Sequence, residues 1–175
     1  MNIILMGLRG CGKSTAGRLL AARLKRPFVD LDDVTPLELG ARTVAEAWTK
    51  HGETEFRRAE VMALTNALAR DRQVIALGGG TPTAPGAPAL LEQFAAAGRA
   101  VIVYLRAPAD VLRDRLRSAS NANRPSLTGL GVLEEIEGVL AHRDPIYREL
   151  AQHVVETGTL TPEKTVEAVA RVLRM

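Results

Sequence analysis

An α/β fold, with a five-stranded parallel sheet covered by helices on both faces, is the architecture this sequence predicts. Three observations predict it. Short apolar runs at 2–6, 74–77 and 101–105 read as buried strands. Segments with helical apolar spacing alternate with them along the chain. The first run leads directly into Gly7-Leu8-Arg9-Gly10-Cys11-Gly12-Lys13-Ser14-Thr15, which fits the spacing G-x-x-x-x-G-K-[ST] of a phosphate-binding loop and opens a helix with Ala16, Leu19, Leu20 and Leu24 in register.

In such a loop the glycines let backbone N–H groups turn inward around phosphate oxygens. The helix N-terminus adds unpaired donors and partial positive charge. Gly10, Cys11, Gly12 and Thr15 would line the phosphates, Lys13 would reach the β- and γ-phosphates, and the Ser14 hydroxyl would ligate Mg²⁺.

Pro27 to Asp32 reads as a second strand ending in acids. Thr35-Pro36 reads as a cap and first helical position, and Gly40 ends that piece. Thr43 with Glu46 forms a capping box for a helix carrying Val44, Ala47 and Trp48. His51-Gly52 breaks it, and Glu53 to about Arg70 forms the next helix, with Phe56, Ala59, Ala63 and Leu64 on its apolar side. Val74–Leu77 is the third strand, with Gly78-Gly79-Gly80 at its carboxyl end. A proline-rich stretch, 81–88, leads to a helix that Gly98 stops. Val101–Leu105 is the fourth strand, and Pro108 opens a helix to about Ser118. Residues 119–130 read as a mobile loop. A helix is expected from near Val132 past Leu140, and a separate short one from Pro145 to Leu150. His153–Glu156 is a fifth strand, and Thr161-Pro162 caps the last helix.

At 175 residues the chain is expected to be one domain, 1–175. No apolar run approaches a membrane span, so no membrane partner is expected. Residues 1–6 lead straight into the phosphate loop, so no cleavable leader is expected. The one cysteine permits no intrachain disulfide, which suits a reducing, cytoplasmic setting. The net charge of +3 is scattered and aromatics make up 3%, so a nucleic-acid surface is not indicated. Nineteen of the 23 basic residues are arginine, the side chain suited to bidentate binding of phosphate and carboxylate.

Phosphoryl transfer needs a positioned γ-phosphate, neutralised charge and an in-line acceptor oxygen. On a strand end Asp30 and Asp32 would point to opposite sides, one toward Mg²⁺ through water and the other toward the acceptor hydroxyl; the alternative is a pair of solvated acids at a strand terminus. Trp48, Phe56 and Arg57 could floor a pocket for a ringed acid. The alternative is that both aromatics are core and that Arg57 and Arg58 pair with Glu53 or Glu60. Three successive glycines at a strand end suggest backbone passing close to a ligand. Arg124, in the expected mobile loop, could swing over the nucleotide as an arginine finger does. Arg143 precedes Asp144-Pro145 and could face inward or outward.

The segments GLRGCGKST at 7–15, FVDLDD at 28–33, GRTVAEAW and HGETEFRRAE within 40–60, LGGG at 77–80, NRP at 123–125 and HRDPIYRELA at 142–151 together resemble the shikimate kinase family, a group of phosphate-loop kinases related to nucleoside monophosphate kinases. The resemblance implies transfer of the ATP γ-phosphate to the 3-hydroxyl of shikimate, in aromatic amino acid biosynthesis, by a monomeric enzyme using Mg²⁺. It implies that Asp32 binds the substrate hydroxyls and acts as base. Arg57, Arg143 and the backbone around Gly79, with Gly78 and Gly80, would hold the substrate carboxylate, and Trp48 and Phe56 would line the pocket. Asp30 would stand behind the Mg²⁺ ligand Ser14. Arg124 would close over the phosphates, and Arg113 and Pro162 would flank adenine. Residues about 33–60 would form a substrate-binding subdomain and about 113–125 a lid. Two departures stand out: Cys11 is larger than the usual residue there, and 156–161 lacks basic side chains. Cys11 is either a thiol that reacts until nucleotide covers it, or a packed, inert residue. Competing readings are a kinase of the same fold for another hydroxy acid, such as gluconate, and a nucleotide-binding module without turnover.

Overall fold

The computed structural model describes residues 1–118 and 131–174. Five strands, β1 (Asn2–Met6), β2 (Phe28–Asp30), β3 (Val74–Ala76), β4 (Ala100–Arg106) and β5 (His153–Glu156), form one parallel sheet in the order β2-β3-β1-β4-β5. β1 is central and its side chains are fully buried, as a strand covered on both faces requires. The helices are α1 (Lys13–Leu24), α2 (Leu31–Glu38), α3 (Val44–Leu68), α4 (Ala87–Ala96), α5 (Ala109–Arg117), α6 (Ile136–Leu150) and α7 (Pro162–Val172), with a 3₁₀ turn at Thr81–Thr83. Among the described residues, no helix is long and apolar enough to cross a membrane.

Because all the strands run parallel, their carboxyl ends share one edge, where ligands bind in such sheets. The phosphate loop follows β1 there, the Asp30–Asp33 run follows β2, and Gly78–Gly80 follows β3. The main apolar core fills the space between sheet and helices. A second, smaller cluster, of Ala41, Ala47 and Phe56 with Leu39, Val44 and Trp48, packs where α3 begins.

Three local readings need correction. The second strand ends at Asp30, and Leu31 already belongs to α2. The cause is capping: Asp30 accepts the Asp32 backbone N–H at 3.1 Å, and Asp32 and Asp33 lie in the first turn, where negative charge suits the helix N-terminus. Asp30 and Asp32 therefore do not alternate along a strand. Thr35 and Pro36 sit inside α2, not at its start. Pro145 likewise lies inside one continuous α6 and does not open a separate helix. The caps of α3 and α7 and the break at Gly52 hold as read. Thr43 caps α3 by accepting Glu46 N–H at 3.1 Å, although the Glu46 carboxylate reaches back to Arg42 N–H rather than to Thr43. Gly52 breaks the helical path of α3 at φ 75°, ψ 174°, where a residue with a β-carbon would be strained. Thr161 caps α7 and Pro162 opens it.

Candidate active site

Two clefts meet at the carboxyl edge of the sheet. The smaller, of about 330 Å³, lies over the phosphate loop. Gly10 to Ala16 line it, together with Leu116, Leu160, Pro162 and Thr165. Cys11 closes the loop from below and is only 2% exposed. Lys13 is also buried. Its ammonium donates to the carbonyls of Gly7 at 2.8 Å and Leu8 at 3.2 Å, which holds it across the loop. The Thr157 hydroxyl donates to the carbonyls of Cys11 and Arg106, so the start of the β5–α7 connection is tied to the loop.

The larger cleft, of about 490 Å³, is walled by α2, the start of α3, the glycine run and α6. Asp30, Asp32, Trp48, Phe56, Arg57, Gly79, Gly80 and Arg143 all line it. Both of the alternatives drawn for Arg57 are present at once. Its guanidinium pairs with Glu60 at 2.6 Å and Glu53 at 3.3 Å, yet it also faces the cleft and stands 5.2 Å from the Trp48 ring centre. Trp48 and Phe56 meet edge to face at 5.5 Å, so they serve as core and as wall together. Arg58 is different: it pairs with Glu55 on the exposed side. Glu60 is 2% exposed and also accepts the Thr81 hydroxyl at 2.8 Å, so the carboxylate that orients Arg57 is itself fixed. Arg143, 7% exposed, donates to the Gly79 carbonyl at 2.9 Å, and the buried Tyr147 hydroxyl donates to the same oxygen. Those two bonds fix the plane of the Gly79–Gly80 peptide.

The glycine run serves close approach. A β-carbon on Gly78 would come within 2.7 Å of Asp32 Oδ1 and 2.9 Å of Glu60 Oε1, and one on Gly80 would collide with the Arg57 guanidinium. None of the three has a positive φ. Gly78 is therefore not part of the cleft lining; it makes room for the carboxylates of Asp32 and Glu60 behind it.

Burial pushes the Tyr147 and Tyr104 hydroxyls well above the ordinary phenol range, and for Tyr104 the Asp144 carboxylate adds to the effect. Both phenols remain donors wherever the protein works.

Ser14, Asp32 and Arg9 line both clefts, so the two open onto one another at these side chains. Arg9 escaped the sequence reading, although it sits inside the phosphate-loop motif. It pairs at 3.3 Å with Glu135, which is buried at the N-cap of α6. From sequence, Arg115 is expected, with its helix neighbours Arg113 and Arg117, on a solvated face. It, and not Arg113, lines the cleft over the phosphate loop, with its guanidinium donating to the Thr157 carbonyl at 2.6 Å. Arg113 turns toward the Leu133 carbonyl and Glu137. The two-residue step around a helix separates them, because residues two apart point in nearly opposite directions. Arg124 and most of the expected lid lie outside the described residues.

A phosphate loop joined through a carboxylate to an arginine-lined cleft is the arrangement of a phosphate-loop kinase. The family profile for shikimate kinase matches residues 9–174. The chain is 38% identical over 173 residues to shikimate kinase 2 of Yersinia enterocolitica, covering 98% of this chain and 95% of that one. It is 41% identical over 164 residues to the shikimate kinase of Rhodopirellula baltica, covering 89% and 81%. The solved structure of shikimate kinase from Acinetobacter baumannii in complex with shikimate superposes with a TM-score of 0.86 at 33% identity, covering 99% of this chain and 93% of that one. The chain belongs to the shikimate kinase family, and it is an enzyme, a kinase.

Proposed function

We propose that the chain transfers the γ-phosphate of ATP to the 3-hydroxyl of shikimate, giving shikimate 3-phosphate and ADP. The observation that carries this reading is the meeting of the two clefts at Ser14, Asp32 and Arg9, with phosphate-binding backbone on one side and Arg57 and Arg143 on the other. A ringed polyol carboxylate calls for arginine forks at its acid, a carboxylate at its hydroxyls and an apolar wall for its ring. Arg57 and Arg143 supply the first, Asp32 the second, and Trp48 and Phe56 the third. The 3-hydroxyl itself is carried over from the family resemblance.

In this reading Asp32 accepts a hydrogen bond from the acceptor hydroxyl and takes its proton as the oxygen attacks. Lys13 and the N–H groups of the loop neutralise the β- and γ-phosphates. Arg124 closes over them from the lid, about 113–125, while about 33–60, with its own small apolar cluster, acts as the substrate-binding subdomain. The donors along the junction are oxygens, from the Ser14 hydroxyl and the Asp30 and Asp32 carboxylates, and they suit a hard cation. Mg²⁺ would be held by Ser14, with Asp30 behind it. When bound, it supplies positive charge to the phosphate oxygens. The enzyme is further proposed to be a cytoplasmic monomer.

The test is ADP release measured with ATP, Mg²⁺ and a panel of acceptors. Shikimate should stimulate release far above the rate with water, and gluconate should not. Equal stimulation by gluconate, or none by shikimate, would overturn the reading.

A further inference from the structure

Behind the acceptor cleft lies a polar network that the steps above do not use. Its hub is Asp144. Oδ1 accepts the Tyr104 hydroxyl at 2.7 Å and Arg106 Nε at 2.9 Å, and Oδ2 accepts Arg148 Nε at 2.7 Å. Arg106 also pairs with Glu156 at 3.2 Å. One carboxylate on α6 thus grips β4 directly and, through Arg106, β5.

Its place in the chain gives the network a consequence. Asp144 follows Arg143, whose guanidinium enters the cleft, and precedes Pro145, which has no N–H for the helical bond to the Ala141 carbonyl. The helix is therefore weakest in backbone bonding close to where Arg143 leaves it. Side-chain bonds from Asp144 fasten that turn to the sheet instead. One turn on, Tyr147 packs edge to face on Tyr104 at 5.1 Å and donates to the Gly79 carbonyl that also receives Arg143. Tyr104 touches both anchors of this turn, Asp144 by hydrogen bond and Tyr147 by ring contact.

We propose that Asp144 is a positioning residue for the acceptor's carboxylate: by clamping the Arg143 turn of α6 to β4, it sets the direction from which Arg143 and the Gly79–Gly80 peptide meet the ligand. This rests on the function proposed above. Asp144 lines neither cleft, so its effect passes through Arg143. The bland alternative is a network that only stiffens the sheet, and it would lower stability without singling out one substrate.

Steady-state kinetics on Asp144→Asn, Arg143→Ala and the double variant separate the two. An amide must turn its NH₂ toward an arginine N–H, that of Arg148 in one orientation and that of Arg106 in the other, so the clamp loosens with little change of shape. The KM for shikimate should rise about tenfold, the scale of one lost charge-assisted bond, while kcat and the KM for ATP stay within about twofold. In the double variant the KM should be no worse than in Arg143→Ala alone, because residues acting through one another are not additive. Should Asp144→Asn fold poorly, Tyr104→Phe removes one of the three bonds and should shift the same constant by a smaller factor. An unchanged shikimate KM in the single variants, a parallel change in both KM values, or full additivity in the double would overturn the proposal. Wild-type protein that releases no ADP with shikimate would strike the function reading instead.

Discussion

Asp32 is the side chain on which the proposed chemistry turns, because among the described residues it is the one carboxylate that lines both clefts. Its backbone N–H is held by Asp30, so exchanging its carboxylate for an amide leaves the cap in place. Asp32→Asn should lower kcat by roughly 10²–10⁴, the usual worth of positioned proton transfer, with the KM for ATP close to wild type. More than about a tenth of wild-type turnover in that variant would remove Asp32 from the role of base. Arg57 shows why residue type alone left its role open. Its pairing with Glu53 and Glu60 is the ordinary helix-surface pattern, and only its place in the cleft lining, packed against Gly80, shows that the same group also faces the cleft. Cys11 goes the other way. It sits within the phosphate loop, but a side chain 2% exposed beneath that loop is shielded from solvent. Alkylation followed by intact mass should therefore be slow in the native protein, fast in urea and little altered by ATP. Rapid native labelling that ATP suppresses would restore the reactive thiol.

At the scale of elements, most of the candidate site was legible because its signals are local. The phosphate loop, the Thr43 cap and the glycine run each occupy a few consecutive residues whose geometry the residue types dictate. What was misread depends on competition between signals. FVDLDD alternates like a strand, yet the Asp30 cap converts its second half into the start of α2. Pro145 looks like a helix start, but Asp144 holds the turn to β4 and lets α6 run through it. The choice between Arg113 and Arg115 depends on the rotation of α5 against α6 and the β5–α7 connection, which no local pattern records. That choice can be tested. Arg115→Ala should raise the KM for ATP about tenfold, as expected on losing a group that lines the nucleotide cleft and anchors its wall, and leave the KM for shikimate near wild type. Arg113→Ala should change neither by more than about twofold, because loss of a half-exposed ion pair costs little. The reverse pattern would assign the nucleotide contact to Arg113.

Across the whole molecule, the strand–helix alternation was enough to give the sheet its parallel class, but not the lateral order β2-β3-β1-β4-β5, which rests on long-range pairing. The outer pair, β4 and β5, makes the acid behaviour of the fold predictable. Asp144 joins β4 to α6 and, through Arg106 and Glu156, reaches β5. Partial burial would raise its pKa, but hydrogen bonds from Arg148, Tyr104 and Arg106 and the charge of Arg106 outweigh that and hold it at about 2, below its ordinary 3.8. A carboxylate with a depressed folded-state pKa stabilises fully above the unfolded value, and that stabilisation is lost as the pH falls through the folded one. The wild type should therefore hold the Asp144 contribution above about pH 5 and lose it between about pH 4 and pH 2. Asp144→Asn has no such contribution to lose. Urea midpoints taken at steps across that range should show the wild type well above the variant near neutrality, with the gap closing as the acid limb is reached. A gap of constant size down to about pH 2 would mean that the ionised Asp144 does not hold β4, β5 and α6 together.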